Sequence, residues 1–165
     1  MTGMFADVAL FDIESAIRTI DSISENTKFK ELQMSIITSI HNAVHAIVDY
    51  YERIDKSILE KKEDTLFRAF MYLNNQLKHD KELEFVTYNV SGSMFPIFFP
   101  FRSGPPGVNW ADFKDNGKAE ARGKREHYED MLMNKDVRKS LEMARDIIMR
   151  TSGQKIDGGA THDQL

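Results

Sequence analysis

The sequence predicts a mainly α domain: a four- to five-helix bundle with a β-hairpin inserted after the third helix. Three observations carry that expectation. Leu32, Ile36, Ile37, Ile40, Val44, Ile47, Val48, Tyr51, Ile54 and Ile58 keep i, i+3, i+4, i+7 spacing with no Gly or Pro between them. A helix of about 27 residues is about 40 Å long and needs partners along its whole stripe, which implies a bundle. After Asp80 the period changes to the β-branched and aromatic run Glu84-Phe85-Val86-Thr87-Tyr88-Asn89-Val90. The helical period then returns after Asp136, with Val137, Leu141, Ala144, Ile147 and Ile148 as core positions.

The remaining elements follow in order. Residues 4–23 read as a first helix with Phe5, Val8, Ala9, Phe11, Ile13, Ile17 and Ile20 on its apolar face, and residues 22–28 as a polar break. Residues 61–64 read as a charged connection, with Glu63 and Asp64 suited to the positive N-terminus of a third helix. Leu66, Phe67, Phe70, Leu73 and Leu77 are its core residues. Beyond the first strand, Ser91-Gly92-Ser93 is a turn and residues 94–99 return as a second strand, confined to an edge by Pro96 and Pro100. Residues 102–110, with Ser103-Gly104-Pro105-Pro106-Gly107, form a rigid loop anchored on the bundle end by Trp110 and Phe113. Residues 118–126 are polar, either helical or mobile. The stretch 1–150 is expected to be one domain, with the hairpin and its loop at about 83–113, and 151–165 a disordered tail with nothing to bury.

Composition bounds the function classes. A chain of 165 residues, 41% hydrophobic and 29% charged, suits one soluble domain with a real core. The lack of cysteine excludes disulfides, thiolate metal ligands and cysteine nucleophiles, and fits a reducing compartment. Asp7, Asp12, Glu14 and Asp21 near the start, without a basic n-region, do not read as a signal peptide. The longest apolar run, 94–101, is broken by prolines and too short to cross a bilayer. A cytoplasmic protein with no membrane partner is the expectation. The net charge of −4 argues against a broadly basic nucleic-acid binder. Its distribution is uneven: residues 1–60 hold ten acidic and five basic residues, whereas 114–150 hold eight and ten. Lys118, Arg122, Lys124, Arg125, Lys135, Arg138 and Lys139 are interleaved with acids there, as a solvated face laced with ion pairs or a weak phosphate-contacting surface.

Chemistry concentrates on the third helix. Arg68, Tyr72, Asn75 and His79 follow i, i+4, i+7, i+11 and form a polar stripe opposite Leu66, Phe70, Leu73 and Leu77. His79 suits general acid–base work near neutral pH and Arg68 suits phosphate. About 16 Å of helical rise separates them, a gap that a two-fold homodimer interface can close across chains. The plainer reading is a surface stripe whose histidine is favoured by the helix dipole. His41 and His45 form an H-x-x-x-H pair with Asp49 one turn further on, a weak candidate for metal. Asn42 stands where a zinc-protease pattern needs Glu, and histidines hydrogen-bonded at the flank of a core are the commoner case. Either could also face His79 across packed helices. No other cofactor is expected. Phe95, Ile97, Phe98, Phe99, Phe101 and Trp110 form an aromatic cluster, either a lid on the bundle or, if exposed, a partner surface.

A long amphipathic helix followed by a shorter one ending Asn74-Asn75-x-x-Lys78-His79 resembles the HEPN superfamily of small helical bundles. In that family an arginine, a polar residue and a later histidine recur. Many members are metal-independent RNases of toxin–antitoxin and phage-defence systems, often dimers that join both motifs in one cleft. The resemblance, over about residues 30–80, assigns the polar position to Asn75, the frequent lysine to Lys78 and the histidine to His79. The arginine position is Asn74, which offers a hydrogen bond but no positive charge to a phosphate. What the resemblance implies is an RNA-directed protein of a bacterial or phage conflict system, with RNA and an antitoxin or other protein as partners. In such a site His79 assists 2′-hydroxyl attack or leaving-group departure, while Asn75 and Lys78 orient phosphate. A non-catalytic module that dimerises or binds a protein is the competing class.

Overall fold

The long periodic stripe folds as helix α2 (Phe29–Arg53), with Ile36, Ile40, Val44, Ile47, Val48 and Tyr51 buried. The computed structural model describes residues 2–23, 29–89, 107–114 and 119–153. The second strand expected at 94–99, the aromatic cluster Phe95 to Phe101, the loop up to residue 106, Lys118, and the tail from residue 154 lie outside them. Helix α2 ends sooner than its period suggested because Asp55 competes for the backbone. Its carboxylate accepts from the Ser57 amide at 3.0 Å and caps a short 3₁₀ turn, Lys56–Ile58. Ile58 is therefore not a core residue but 45% exposed.

Helix α3 (Lys61–His79) starts at once, so residues 61–64 are its first turn and not a connection. The Glu63 carboxylate reaches back to the Glu60 amide at 2.9 Å and fixes that start. Helix α1 (Thr2–Asp21) packs on α2 with most of the expected face, but without Val8 and Phe11. Ala6, Ala9, Ile13, Ala16, Ile17 and Ile20 are buried, while Val8 and Phe11 are 49% and 69% exposed. Three alanines complete the arc centred on Ile13, and Val8 and Phe11 fall on the far side of the helix.

Strand β1 (Val86–Asn89) pairs antiparallel with β2 (Gly107–Trp110), Val86 facing Trp110 and Asn89 facing Gly107. The hairpin expected after the third helix is present, but the partner of β1 lies where a rigid loop was expected. Alternation explains it: Val108 and Trp110 point inward between Gly107 and Asn109. Trp110 is fully buried, edge-on to Phe70 at 5.9 Å between ring centroids. Its amide donates to the Lys135 carbonyl at 3.0 Å and its carbonyl accepts from the Asn134 amide at 2.9 Å. Asn134 stands at φ 61°, a left-handed conformation asparagine tolerates. These bonds tie the sheet to the turn between α4 (Ala119–Met131) and α5 (Val137–Ser152).

Among the described residues α1 packs on α2 and α5, α2 on α1 and α3, and α3 on α2 and α4. The buried apolar residues form one continuous cluster. The α3–α4 seam is aromatic: Tyr72 stacks on Phe113 at 6.1 Å, and Tyr128 packs against both at 5.7 and 5.0 Å. The Tyr128 hydroxyl donates to the Ala111 carbonyl at 2.7 Å, and burial pushes its pKa far up. Asp136 caps α5 by accepting from the Lys139 amide at 2.8 Å, as the sequence suggested. Helix α5 then runs past the expected start of the tail, because Thr151 is held through a 2.7 Å hydrogen bond with the Tyr50 hydroxyl.

Between α2 and α3, Tyr51 stacks on Phe67 at 5.2 Å and donates its hydroxyl proton to Asp64 at 2.6 Å. Arg68 donates to the other oxygen of the same carboxylate, also at 2.6 Å. Burial raises the Asp64 pKa, but these hydrogen bonds and the Arg68 and His127 charges outweigh it and hold the carboxyl below 3.8. Tyr51 is pushed up to about 12, by burial first and then by Asp64. Tyr51→Phe keeps the stacked ring and loses the hydrogen bond, so it is expected to cost about 1 kcal/mol in urea unfolding at neutral pH. The Asp64 contribution is complete above pH 3.8 and is lost as pH falls through its lower folded value. Acid titration of Asp64→Asn should therefore lack that part of the low-pH loss; an acid profile parallel to that of the unaltered protein would refute the pairing.

Candidate functional site

The end of α3 is shaped by Asp80. Its amide closes the last helical turn on the Gln76 carbonyl at 2.9 Å, and its carboxylate accepts from the Glu82 amide at 3.0 Å. That local turn stops the helix and sends residues 81–85 back toward α2. Phe85 and Val86 are buried there. A groove of about 820 Å³ is left between α2, the last turn of α3 and this returning segment. His41 and His45 border it from α2; Asn74, Leu77 and Lys78 border it from α3.

The groove divides the motif read from the sequence. Asn74, 1% exposed, and Lys78, exposed, border it. Asn75, half-buried, and His79, exposed in the last turn, do not. One residue along a helix is a rotation of about 100°, which is enough to put neighbours on different faces. The stripe expected from Arg68 to His79 is not a continuous solvent-facing strip. Tyr72 is fully buried beneath Phe113 and Tyr128, because α4 covers that side of α3. Arg68 is bound to Asp64, and Trp110, a candidate binding residue, is also fully buried.

The histidine pair of α2 therefore faces Asn74 and Lys78 across the groove. Being four residues apart, His41 and His45 lie on one side of the helix with Cβ atoms about 5–6 Å apart. Burial, then the charge of His45, holds the His41 pKa below 6.5, so the ring is mostly neutral at pH 7. His45 lies 3.8 Å from the Asp49 carboxylate along its own helix, with both side chains well exposed. It also acts on Asp12 of α1, whose carboxyl is raised by burial and partly pulled back by the His45 charge. Among the described residues no group of three or more His, Asp or Glu side chains is arranged to hold a metal ion. Likewise among them, no helix is long and apolar enough to cross a membrane.

No protein-family model, curated protein or solved structure matches this chain. Chemical reading of the groove thus rests on its own side chains. A neutral imidazole, a second imidazole one turn away, an ammonium and a carboxamide can together accept a proton, donate one and hold an anionic oxygen. The sequence signal for this arrangement was the His41–His45 spacing. The sequence joined the pair to His79, which lies outside the groove; its partners there are the other motif residues, Asn74 and Lys78.

The coupling within the pair can be measured by NMR titration. The His41 ring should titrate below 6.5, and His45→Gln should move its midpoint upward without fully restoring 6.5, since burial is the larger cause. An unmoved midpoint would show that the two rings do not interact.

Proposed function

We propose that the protein is an RNA-directed, metal-independent endoribonuclease of the kind HEPN-like bundles supply to bacterial or phage conflict systems, acting in the groove between α2 and α3. The observation that carries this reading is the convergence of His41, His45, Lys78 and Asn74 on one groove. The resemblance of the Asn74-to-His79 segment supplies RNA as the substrate class and the conflict-system setting.

In this mechanism His41, neutral at pH 7, takes the proton of a ribose 2′-hydroxyl. The 2′-oxygen attacks the adjacent phosphorus, the bond from phosphorus to the 5′-oxygen breaks, and the departing oxygen takes a proton donated by His45. The products are a 2′,3′-cyclic phosphate and a 5′-hydroxyl. Lys78 supplies the positive charge that Asn74 cannot, and lies in the last turn of α3, where the helix dipole favours a cation. Asn74 adds a hydrogen bond to a phosphate oxygen.

A second reading has its own observation. Met4, Val8 and Phe11, at i, i+4 and i+7 on α1, are 63%, 49% and 69% exposed, an apolar strip suited to a protein partner or a second copy. As an interaction module, the protein leaves RNA intact and Phe11→Ser, not a groove substitution, changes its oligomeric state in sedimentation.

The deciding assay is cleavage of mixed cellular RNA without added metal. His41→Ala and His45→Ala are each expected to lower the rate by about 10²-fold or more, as loss of a general acid or base does. His79→Ala, outside the groove, should retain most activity. For the unaltered protein the rate should fall on acidification through a midpoint below 6.5, as His41 becomes protonated. Activity lost with His79→Ala and kept with His41→Ala would return the chemistry to the face outside the groove. No cleavage by the folded, unaltered protein would favour the interaction module.

A further inference from the structure

At the other end of α3, about 25–30 Å of helical rise from His79, a second cleft of about 770 Å³ opens. The first turn of α3, the end of α4 and the first turns of α5 form its walls. Lys61, Lys62, Lys135 and Lys139 border it over a floor that includes Met131 and Met143. We propose that this cleft is a binding site for a ligand carrying consecutive phosphates.

Charge is the first argument. The chain as a whole is acidic, at −4, yet four lysines from α3, the α4–α5 turn and α5 meet here against two aspartates, Asp130 and Asp136. The Asp136 carboxylate is already engaged in capping α5. Lys135 donates to the Asp130 backbone carbonyl, not to its carboxylate. Among the described residues none of the four lysines lies within ion-pair distance of any carboxylate.

Placement is the second. The acids of the first turn of α3 are bound elsewhere, Glu63 to Arg150 at 2.5 Å and Asp64 to Arg68 and Tyr51. Lys61, Lys62 and Lys139 thus stand in the opening turns of two helices, where the dipole disfavours cations. This arrangement works against the fold and is relieved when an anion occupies the cleft. The volume decides between a single anion and a longer one. It lies within the range of small-molecule sites, about 300–1,000 Å³, and lysines set on α3, on α5 and on the turn before α5 suit several phosphates in series. The two methionines offer an adaptable apolar surface to whatever the phosphates are attached to.

The test is calorimetric titration with inorganic tripolyphosphate at low and at physiological salt. Saturable one-to-one binding, weakening as salt rises, is expected for the unaltered protein and for Lys114→Gln. Lys62→Gln with Lys139→Gln should weaken it by about tenfold or more, with unchanged helical circular dichroism and a melting temperature no lower than that of the unaltered protein. No binding by the unaltered protein, equal binding by the double variant, or a lower melting temperature in it would overturn the proposal. Two further titrations identify the source of the phosphates. A nucleoside triphosphate that outbinds tripolyphosphate marks a free nucleotide, and a short RNA that does so marks a nucleic-acid strand; either supports a phosphate site. The readout is binding alone, so it stands or falls separately from RNA cleavage in the histidine groove.

Discussion

Enclosure of α3 is the constraint on which the rest of the structure depends. Helix α2 covers one side and α4 another, so Leu66, Phe67, Ala69, Phe70, Tyr72, Leu73, Asn74, Gln76 and Leu77 are all buried. Beyond its first turn, where Lys61 and Lys62 are exposed, only a narrow strip with Arg68, Lys78 and His79 exposed is left to solvent. A helix enclosed in this way cannot present a broad polar face. Its polar residues are divided among seams, and each seam gives them a different task. Toward α2 the task is lining a groove; toward α4, Tyr72 joins an aromatic seam that Arg125 closes by donating to the Phe113 carbonyl at 2.8 Å.

This division explains which parts of the molecule could be read from the chain and which could not. The α2 stripe, the Asp136 cap and the change of period after Asp80 are local signals, and the elements they announce are present. The misassigned boundaries turn on single side chains that capture backbone amides. Asp55 shortens α2, and Glu63 begins α3 four residues earlier than its apolar pattern indicates. Strand β2 was hidden because Gly-Pro-Pro-Gly reads as a loop, while the alternation of Val108 and Trp110 covers too few residues to stand out. On α1 a large residue is a poor guide to burial when alanines define the packed face. Ala6, Ala9 and Ala16 are fully buried, and Phe11 is not.

The candidate site was legible in its parts and illegible as a whole. His41, His45, Asn74 and Lys78 each stood out by residue type and spacing. Their meeting depends on the angle at which α2 crosses α3 and on the Asp80 turn that brings residues 81–85 back, and neither leaves a periodic trace. Tyr72 shows the opposite failure. A tyrosine at helical spacing with charged neighbours looked surface-facing, but the decisive fact is the Phe113 and Tyr128 rings that cover it.

The order in which helices touch has a kinetic consequence. The contacts of α1 with α2, of α2 with α3 and of α3 with α4 join neighbours along the chain, which close with little loop entropy and form early. Only α5 must return across the whole chain to reach α1. Arg138 meets Asp21 over a separation of 117 residues, and Arg145 meets Glu14 over 131. Synthesis from the N-terminus delivers those partners last, so the flank of α1 that carries Glu14 and Asp21 waits uncovered until α5 emerges. During that interval the nascent bundle is an open-sided stack, and the same flank is the natural point of capture for a chaperone or for another unfinished copy.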